Sequence, residues 1–285
     1  MVLLQKMGVI GDGTRNGMLS TGFLIDTKKT CEIHQAPIYR RTRPIGTESE
    51  FCWACQQEEI NKKKSMVDLA YQNQAMLADG YSVFKRESIL SKEIATAEIK
   101  NFKVECNTDN NALNFAKRTI RDYIKGMEGN CILQGPPGVG KSHLSMSIAK
   151  NINELFKSYN QSKSVIFVSV PLLSALVKDT FDYDDKKNSK YSQERMSKLL
   201  INCDYLILDD LGKESTTGNT IKSASSWAYT FLFNILDNRT NTIINTNFTT
   251  KELTQIYDRA FVDRVMKGAK KNIFIFPEDA ESKRF

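Results

Sequence analysis

The chain has 285 residues, 41% of them hydrophobic and 26% charged, with a formal net charge of +7. That length accommodates one large domain and a small one, and no apolar run reaches the roughly 20 residues needed to cross a bilayer. The first glycines are preceded by only one lysine, Lys6, and no long apolar stretch, so the start does not read as a secretory leader. Six cysteines without such a leader point to a reducing compartment, and the expected location is the cytoplasm.

Residues 1–30 are rich in Gly, Thr and Ser with weak periodicity and read as an extended arm. Two knuckles follow, Cys31-x-x-His34 and Cys52-x-x-Cys55, separated by 17 residues. Thiolates and a neutral imidazole suit tetrahedral Zn²⁺, and a closed set of four ligands suits a structural site of the zinc-ribbon type. A unit of about 30 residues buries too little apolar surface to fold unaided, which gives a metal a physical purpose there. Between the knuckles lies Tyr39-Arg-Arg-Thr-Arg43, and Trp53 sits inside the second. That mixture reads either as a contact surface for nucleic acid or an acidic protein face, or as a solvated charge run. From 56 to about 103 charges of both signs alternate with apolar residues. Ile60, Val67, Ala70, Tyr71 and Leu77 recur at helical spacing over Glu58–Ala78, and Gly80 is expected to interrupt that helix. Residues 31–104 therefore read as a metal module with a helical linker, and 105–285 as the main domain.

In the main domain Asn111–Lys125 is expected as an amphipathic helix burying Leu113, Phe115, Ala116, Ile120 and Ile124. Cys131–Gln134 is a short buried strand, and Ser142–Ile152 a helix. Later strands are expected at Ser164–Val170, Tyr205–Leu208, Thr242–Asn245 and Asn272–Phe276. Helices are expected from Pro171 to Thr180, from Ser192 to Leu200, from Ser225 to Asp237 and from Thr249 to Tyr257, with a polar loop at Phe181–Tyr191. The alternation predicts an α/β fold with a mostly parallel sheet between helices. Cys131 and Cys203 lie on or beside apolar strands and read as core residues; Cys106 has no evident partner.

Three stretches carry chemistry. Gly135-Pro136-Pro137-Gly138-Val139-Gly140-Lys141-Ser142, with His143 behind it, fits G-x-x-x-x-G-K-S/T between a strand and a helix. Its glycines let the backbone approach phosphates, and the helix start adds positive partial charge. Lys141 reaches the β- and γ-phosphates, and Ser142 holds Mg²⁺ through its hydroxyl. Tyr205-Leu-Ile-Leu-Asp-Asp210 is an apolar strand ending in two carboxylates, expected beside the phosphate loop at the C-terminal edge of the sheet. Asp209 is then the Mg²⁺ ligand, and Asp210 orients or deprotonates the attacking water. Thr242-Ile-Ile-Asn-Thr-Asn247 ends in polar residues. Asn247, beyond the strand end, is the choice over Asn245 for a contact to the γ-phosphate or its water.

The order GPPGVGKS, LILDDLG, TIINTNFTTKEL and RAFVDRVMKG resembles the AAA+ ATPases of the DnaC/DnaI helicase-loader and IstB group, over roughly residues 105–285. The resemblance implies that Asn247 is the sensor-1 residue. It also implies that Arg264 is an arginine finger offered to the ATP of a neighbouring subunit, with Arg259 as the near alternative, so that hydrolysis depends on assembly into an ATP-dependent oligomer. Arg284 is a loose match for a second sensor. A zinc-bearing N-terminal module joined to such an ATPase is similar to the DnaI layout. This implies that residues 31 to about 100 dock on a hexameric replicative helicase. Single-stranded DNA would then be bound near the helix Pro171–Thr180, where Lys178, Tyr183 and Tyr191 lie. The expected role is an ATP-dependent helicase loader, in a form that fits a phage-encoded protein. The alternatives are an IstB-like transposition regulator on duplex DNA, and a nucleotide-gated adaptor that hardly turns over.

Overall fold

A computed structural model describes residues 17–20, 22–42, 48–181, 189–217 and 220–283, with the side chains of 42 and 67–78 left aside. Arg43, Tyr183 and Arg284 lie outside the described residues. The chain separates into two compact units, residues 1–74 and 75–285, and the division falls inside one long helix, α1 (Trp53–Glu87).

The first unit holds three antiparallel strands, β1 (Leu24–Thr30), β2 (Pro37–Thr42) and β3 (Glu48–Cys52), with β2 in the centre. The end of the expected arm is thus a strand, Leu24 pairing with Arg41 and Thr30 with Pro37. Tyr39, read as a contact residue, is buried at 3% exposure. It lies opposite Phe51 on the central strand, where an apolar ring finds cover. Arg40 is tied to Glu48 and Glu50 across the same strand pair.

The second unit is built on a five-stranded parallel sheet. Its strands are β4 (Cys131–Gln134), β5 (Val165–Ser169), β6 (Tyr205–Leu211), β7 (Thr242–Thr246) and β8 (Ile273–Ile275), in the order β8-β4-β7-β6-β5. Strict alternation sends Cys131, Leu133, Val165, Phe167, Ile207 and Ile243 to one face, where α2 (Asn107–Ile124) and α3 (Lys141–Ser158) cover them. Ile132, Ile166, Val168, Leu206, Leu208 and Ile244 go to the other face. They are covered there by α4 (Val170–Lys178), α5 (Gln193–Asn202), α6 (Ser226–Asp237) and a helix near the C-terminal end. Burial on both faces explains why these strands read as continuous apolar runs.

Local chemistry sets the helix ends. The Ser225 hydroxyl accepts the Ala228 N–H at the start of α6. Thr249 and Glu252 cap α7 (Thr250–Ile256) reciprocally, the pattern of a capping box. The Asp258 carboxylate accepts the Phe261 N–H at the start of α8 (Arg259–Val265), a helix the sequence reading did not separate.

Gly80 does not break the first helix, which runs through it to Glu87. A Cβ there would stand 2.6 Å from the Ser162 hydroxyl, so the glycine serves a close approach. Residues beyond the helix, expected to be linker, join the main core. Ile89 bonds along β5 through Phe167 and Ser169, and Ala97 and Phe102 are buried.

Candidate functional site

The phosphate loop joins β4 to α3, as its spacing requires. Gly135, Gly138 and Gly140 have φ of 148°, 88° and 96°, backbone that side-chain-bearing residues rarely adopt. Lys141 is 5% exposed, and its ammonium donates to the Gly135 and Pro136 carbonyls at 2.7 Å each. The loop encloses a cavity of about 160 Å³ lined by Ile94, Pro137, Gly138, Gly140, Lys141, Ser142, His143, Asp210, Lys213, Asn247 and Lys283. Two larger hollows, of about 650 and 1280 Å³, contain none of the sequence-derived site residues.

Sheet order explains what faces the loop. One strand, β7, lies between β4 and β6, so the C-terminal ends of all three converge. The Ser142 hydroxyl donates to Asp209 Oδ1 at 2.8 Å, which joins the two residues read as cation ligands. Asp209 is 5% exposed; burial, and then the charge of Asp210, raises its carboxyl above the usual value. A divalent cation beside the pair would reverse that pressure, so the donor set, one hydroxyl and one buried carboxylate, fits Mg²⁺.

The pairing of β6 with β7 shifts register between Leu208 and Leu211, and Asp210 takes a left-handed backbone with φ 62°. Such a bulge re-aims side chains. Asp209 meets Ser142, whereas Asp210 turns to the Lys213 ammonium at 2.8 Å and lines the cavity. Nothing in the run LILDD announces this change of direction.

The two asparagines at the end of β7, Asn245 within it and Asn247 just beyond it, separate. Asn247 lines the cavity. Asn245 is fully buried behind it, and its Nδ2 donates to Asp209 Oδ1 and Ser145 Oγ at 2.6 Å each. It therefore holds the Asp209 carboxylate in place, a role sequence reasoning missed. The available signal was its place in the strand, one residue before the end and on the same edge as the acidic pair.

His143 lines the cavity, but its ring is held from outside the loop. Its Nε2 lies 2.9 Å from the Glu98 carbonyl and its ring packs edge-on to Phe102 at 5.4 Å. Arg264 is not brought to the cavity. Its Nε is hydrogen bonded to Asp237 at the end of α6, and the guanidinium lies 5.7 Å from the Phe233 ring centre. Arg259 begins the same helix and is exposed. Near α4, Lys178 lies over the Trp227 ring at 5.3 Å, and Trp227 stacks on Phe231 and meets the half-exposed Phe181 edge-on. Trp227 was not singled out in the sequence, because it stands on α6, far along the chain. Tyr191 is half-buried against the core.

In the first unit Cys31, His34, Cys52 and Cys55 present ligand atoms all within 4.8 Å of one another. A tetrahedral centre with Zn–S near 2.3 Å and Zn–N near 2.05 Å requires about 3.8 Å between sulfurs and about 3.5 Å between sulfur and nitrogen. Cys31 and Cys55 Sγ are 3.7 Å apart, and His34 Nδ1 lies 3.9 Å from the first and 3.2 Å from the second, so the donor set fits zinc. Glu58, one turn after Cys55 on α1, places Oε1 3.0 Å from His34 Nε2. Its hydrogen bond raises the imidazole to about 9, and it fixes Nδ1 as the nitrogen turned to the sulfurs. Trp53, meanwhile, packs edge-on to Phe51 at 5.4 Å with its indole nitrogen buried, which does not fit an exposed stacking platform.

Comparison with known proteins adds a family. A model described as IstB-like ATP binding protein matches residues 63–272. No curated protein matches the chain. The solved structures it is similar to include DnaI, at 21% identity over 67% of this chain and 96% of that one with a TM-score of 0.49. They also include the DnaC helicase loader, at 20% identity, 66% and 100% coverage and a TM-score of 0.48. A third is AMPPCP-bound DnaA from Aquifex aeolicus, at 16% identity, 66% and 51% coverage and a TM-score of 0.47.

Proposed function

Because the chain belongs to the IstB-like ATP-binding protein family, we propose that it is an ATPase of the AAA+ kind that loads a replicative helicase onto single-stranded DNA. The observation that carries this reading is the pairing, in one chain, of a phosphate loop facing an Asp-Asp strand with a separate four-ligand Cys/His unit. The second part is the feature that fits a loader better than a transposition regulator.

In the proposed reaction the loop from Gly135 to Ser142 holds the phosphates of ATP, and Lys141 leaves the loop carbonyls for the β- and γ-oxygens. Ser142 and Asp209 would hold Mg²⁺, which would supply positive charge to the phosphate oxygens. Asp210, in reach of Lys213, orients the attacking water, and Asn247 contacts that water or the γ-phosphate. Arg264 or Arg259 serves the site of the next subunit, which suits a side chain that does not line its own cavity. Hydrolysis then needs assembly, and the energy goes into release of the helicase. The cluster of Lys178, Trp227 and Phe181 offers a cation beside aromatic faces, the chemistry that holds single-stranded bases. The Cys/His unit is the proposed helicase-docking part. Among the described residues no helix is long and apolar enough to cross a membrane.

The test is a pull-down with native mass determination against the host's hexameric replicative helicase, with and without ATP. The expected result is a complex that requires residues 1–74. Absence of that complex, together with ATP-dependent filaments on duplex DNA, would transfer the assignment to a transposition regulator of the IstB kind.

A further inference from the structure

The segment 276–283 lies against each of the three glycines of the phosphate loop. A Cβ on Gly135 would collide with Phe276, and one on Gly138 with Ser282. One on Gly140 would stand 2.7 Å from the Phe102 ring and 3.7 Å from Lys283 Cδ. The Lys283 N–H donates to the Gly138 carbonyl at 3.0 Å. The side chain of Lys283 is 12% exposed. Its ammonium donates to the Lys103 carbonyl at 2.8 Å and to Asp109 Oδ2 at 2.6 Å, and it lies 5.2 Å from the Phe102 ring centre.

Asp109 is itself a junction. The same oxygen accepts the N–H groups of Glu105 and Cys106 ahead of α2. Burial pushes the carboxyl up, but the hydrogen bond from Lys283 and those from the backbone outweigh it and hold the group below its usual value. The pair is thus charged, largely desolvated and hydrogen bonded on both sides, the condition in which an ion pair fixes geometry.

We infer that Lys283 is a positioning residue for the nucleotide. Through its N–H it holds the phosphate loop at Gly138, and through its ammonium it holds the segment Lys103–Asp109, so one residue braces the loop that lines the nucleotide cavity against the start of α2. The inference rests on the reading of that cavity as the ATP site. Because the ammonium is paired with a buried carboxylate, whereas that of Lys141 donates to neutral loop carbonyls, it acts on the loop and not on the γ-phosphate, and it serves a nucleoside diphosphate as much as a triphosphate.

The experiment titrates Mg-ADP and Mg-ATP into the full chain by calorimetry, for the wild type and for Lys283→Met, Lys283→Arg, Asp109→Asn and the Lys283→Met/Asp109→Asn double variant. Lys283→Met and Asp109→Asn are each expected to weaken both nucleotides about tenfold or more, the factor set by one broken charge-assisted hydrogen bond. The double variant is expected to be no weaker than either single one, and Lys283→Arg, which keeps the pair, to bind nearly as the wild type. Wild-type affinity in Lys283→Met would overturn the inference, and so would a loss confined to ATP, which would make Lys283 a γ-phosphate ligand. Should Asp109→Asn fail to fold, Lys283→Met against Lys283→Arg carries the same decision. Lys141→Ala, run alongside, tests the ATP site itself: normal nucleotide binding there would remove the site reading, whereas loss there with unchanged Lys283→Met would remove only the inference.

Discussion

The two units of this chain reach a folded state by different means. Residues 75–285 bury a parallel sheet between two layers of helices, with Leu133, Phe167, Ile207 and Ile243 on one side and Ile132, Ile166, Leu206 and Ile244 on the other. Among the described residues of 1–74, the buried apolar side chains are Leu24, Cys31, Tyr39 and Cys52, and two of these are metal-ligand candidates. Apolar burial at about 25 cal/mol per Å² offsets chain entropy in the first case and falls short in the second. The contrast teaches where stability is stored. The α/β unit depends on the hydrophobic effect, and the small unit has a Cys/His cluster whose four ligand atoms could make up the difference by holding a metal.

The largest effect should come from removing the metal. Structural zinc contributes roughly 10 kcal/mol or more to the folding of such units. A chelator, or Cys52→Ser, should therefore unfold residues 1–74 and leave the melting of residues 75–285 where it was. Circular dichroism with zinc quantitation checks this, and a small unit that stays folded without metal would break the comparison. Next is Lys141→Ala. Removing a buried ammonium proposed to reach the phosphates should cost about 2–5 kcal/mol of nucleotide affinity, read by ATP titration, with zinc content unchanged. The smallest effect is Glu58→Gln. Loss of the carboxylate behind His34 should weaken zinc about tenfold to a hundredfold, measured by competition with a zinc-binding dye, and should leave nucleotide affinity untouched. Unchanged zinc affinity would mean that the imidazole is held by the sulfurs' geometry alone.

What the sequence disclosed follows the same division. The strands β4 to β7 and the helices between them were legible because apolar runs alternate with amphipathic stretches, and the phosphate loop because its glycines obey a fixed spacing. The Cys/His spacing likewise disclosed the four side chains that cluster. Pairwise geometry was hidden. Gly80 looked like a helix breaker because its partner, Ser162, is distant in the chain. Asn247 drew attention from Asn245 because strand order, which brings β7 between β4 and β6, is not written in any local pattern. Tyr39 looked like an accessible aromatic because burial on a central strand depends on both neighbours. Glu58 was invisible for a different reason: a lone glutamate on a charged helix carries no mark of facing a histidine.

The left-handed backbone at Asp210 bears on how this site should be dissected. Alanine at that position would lose the carboxylate and also meet a conformation it resists, whereas asparagine enters that region more readily than most residues. A fall in turnover for Asp210→Ala therefore mixes two causes, lost chemistry and a relaxed bulge. Asp210→Asn isolates the first, and Asp210→Gly, which tolerates the backbone at no steric cost, brackets the second. At this residue the informative substitutions are selected by torsion angle before they are selected by charge.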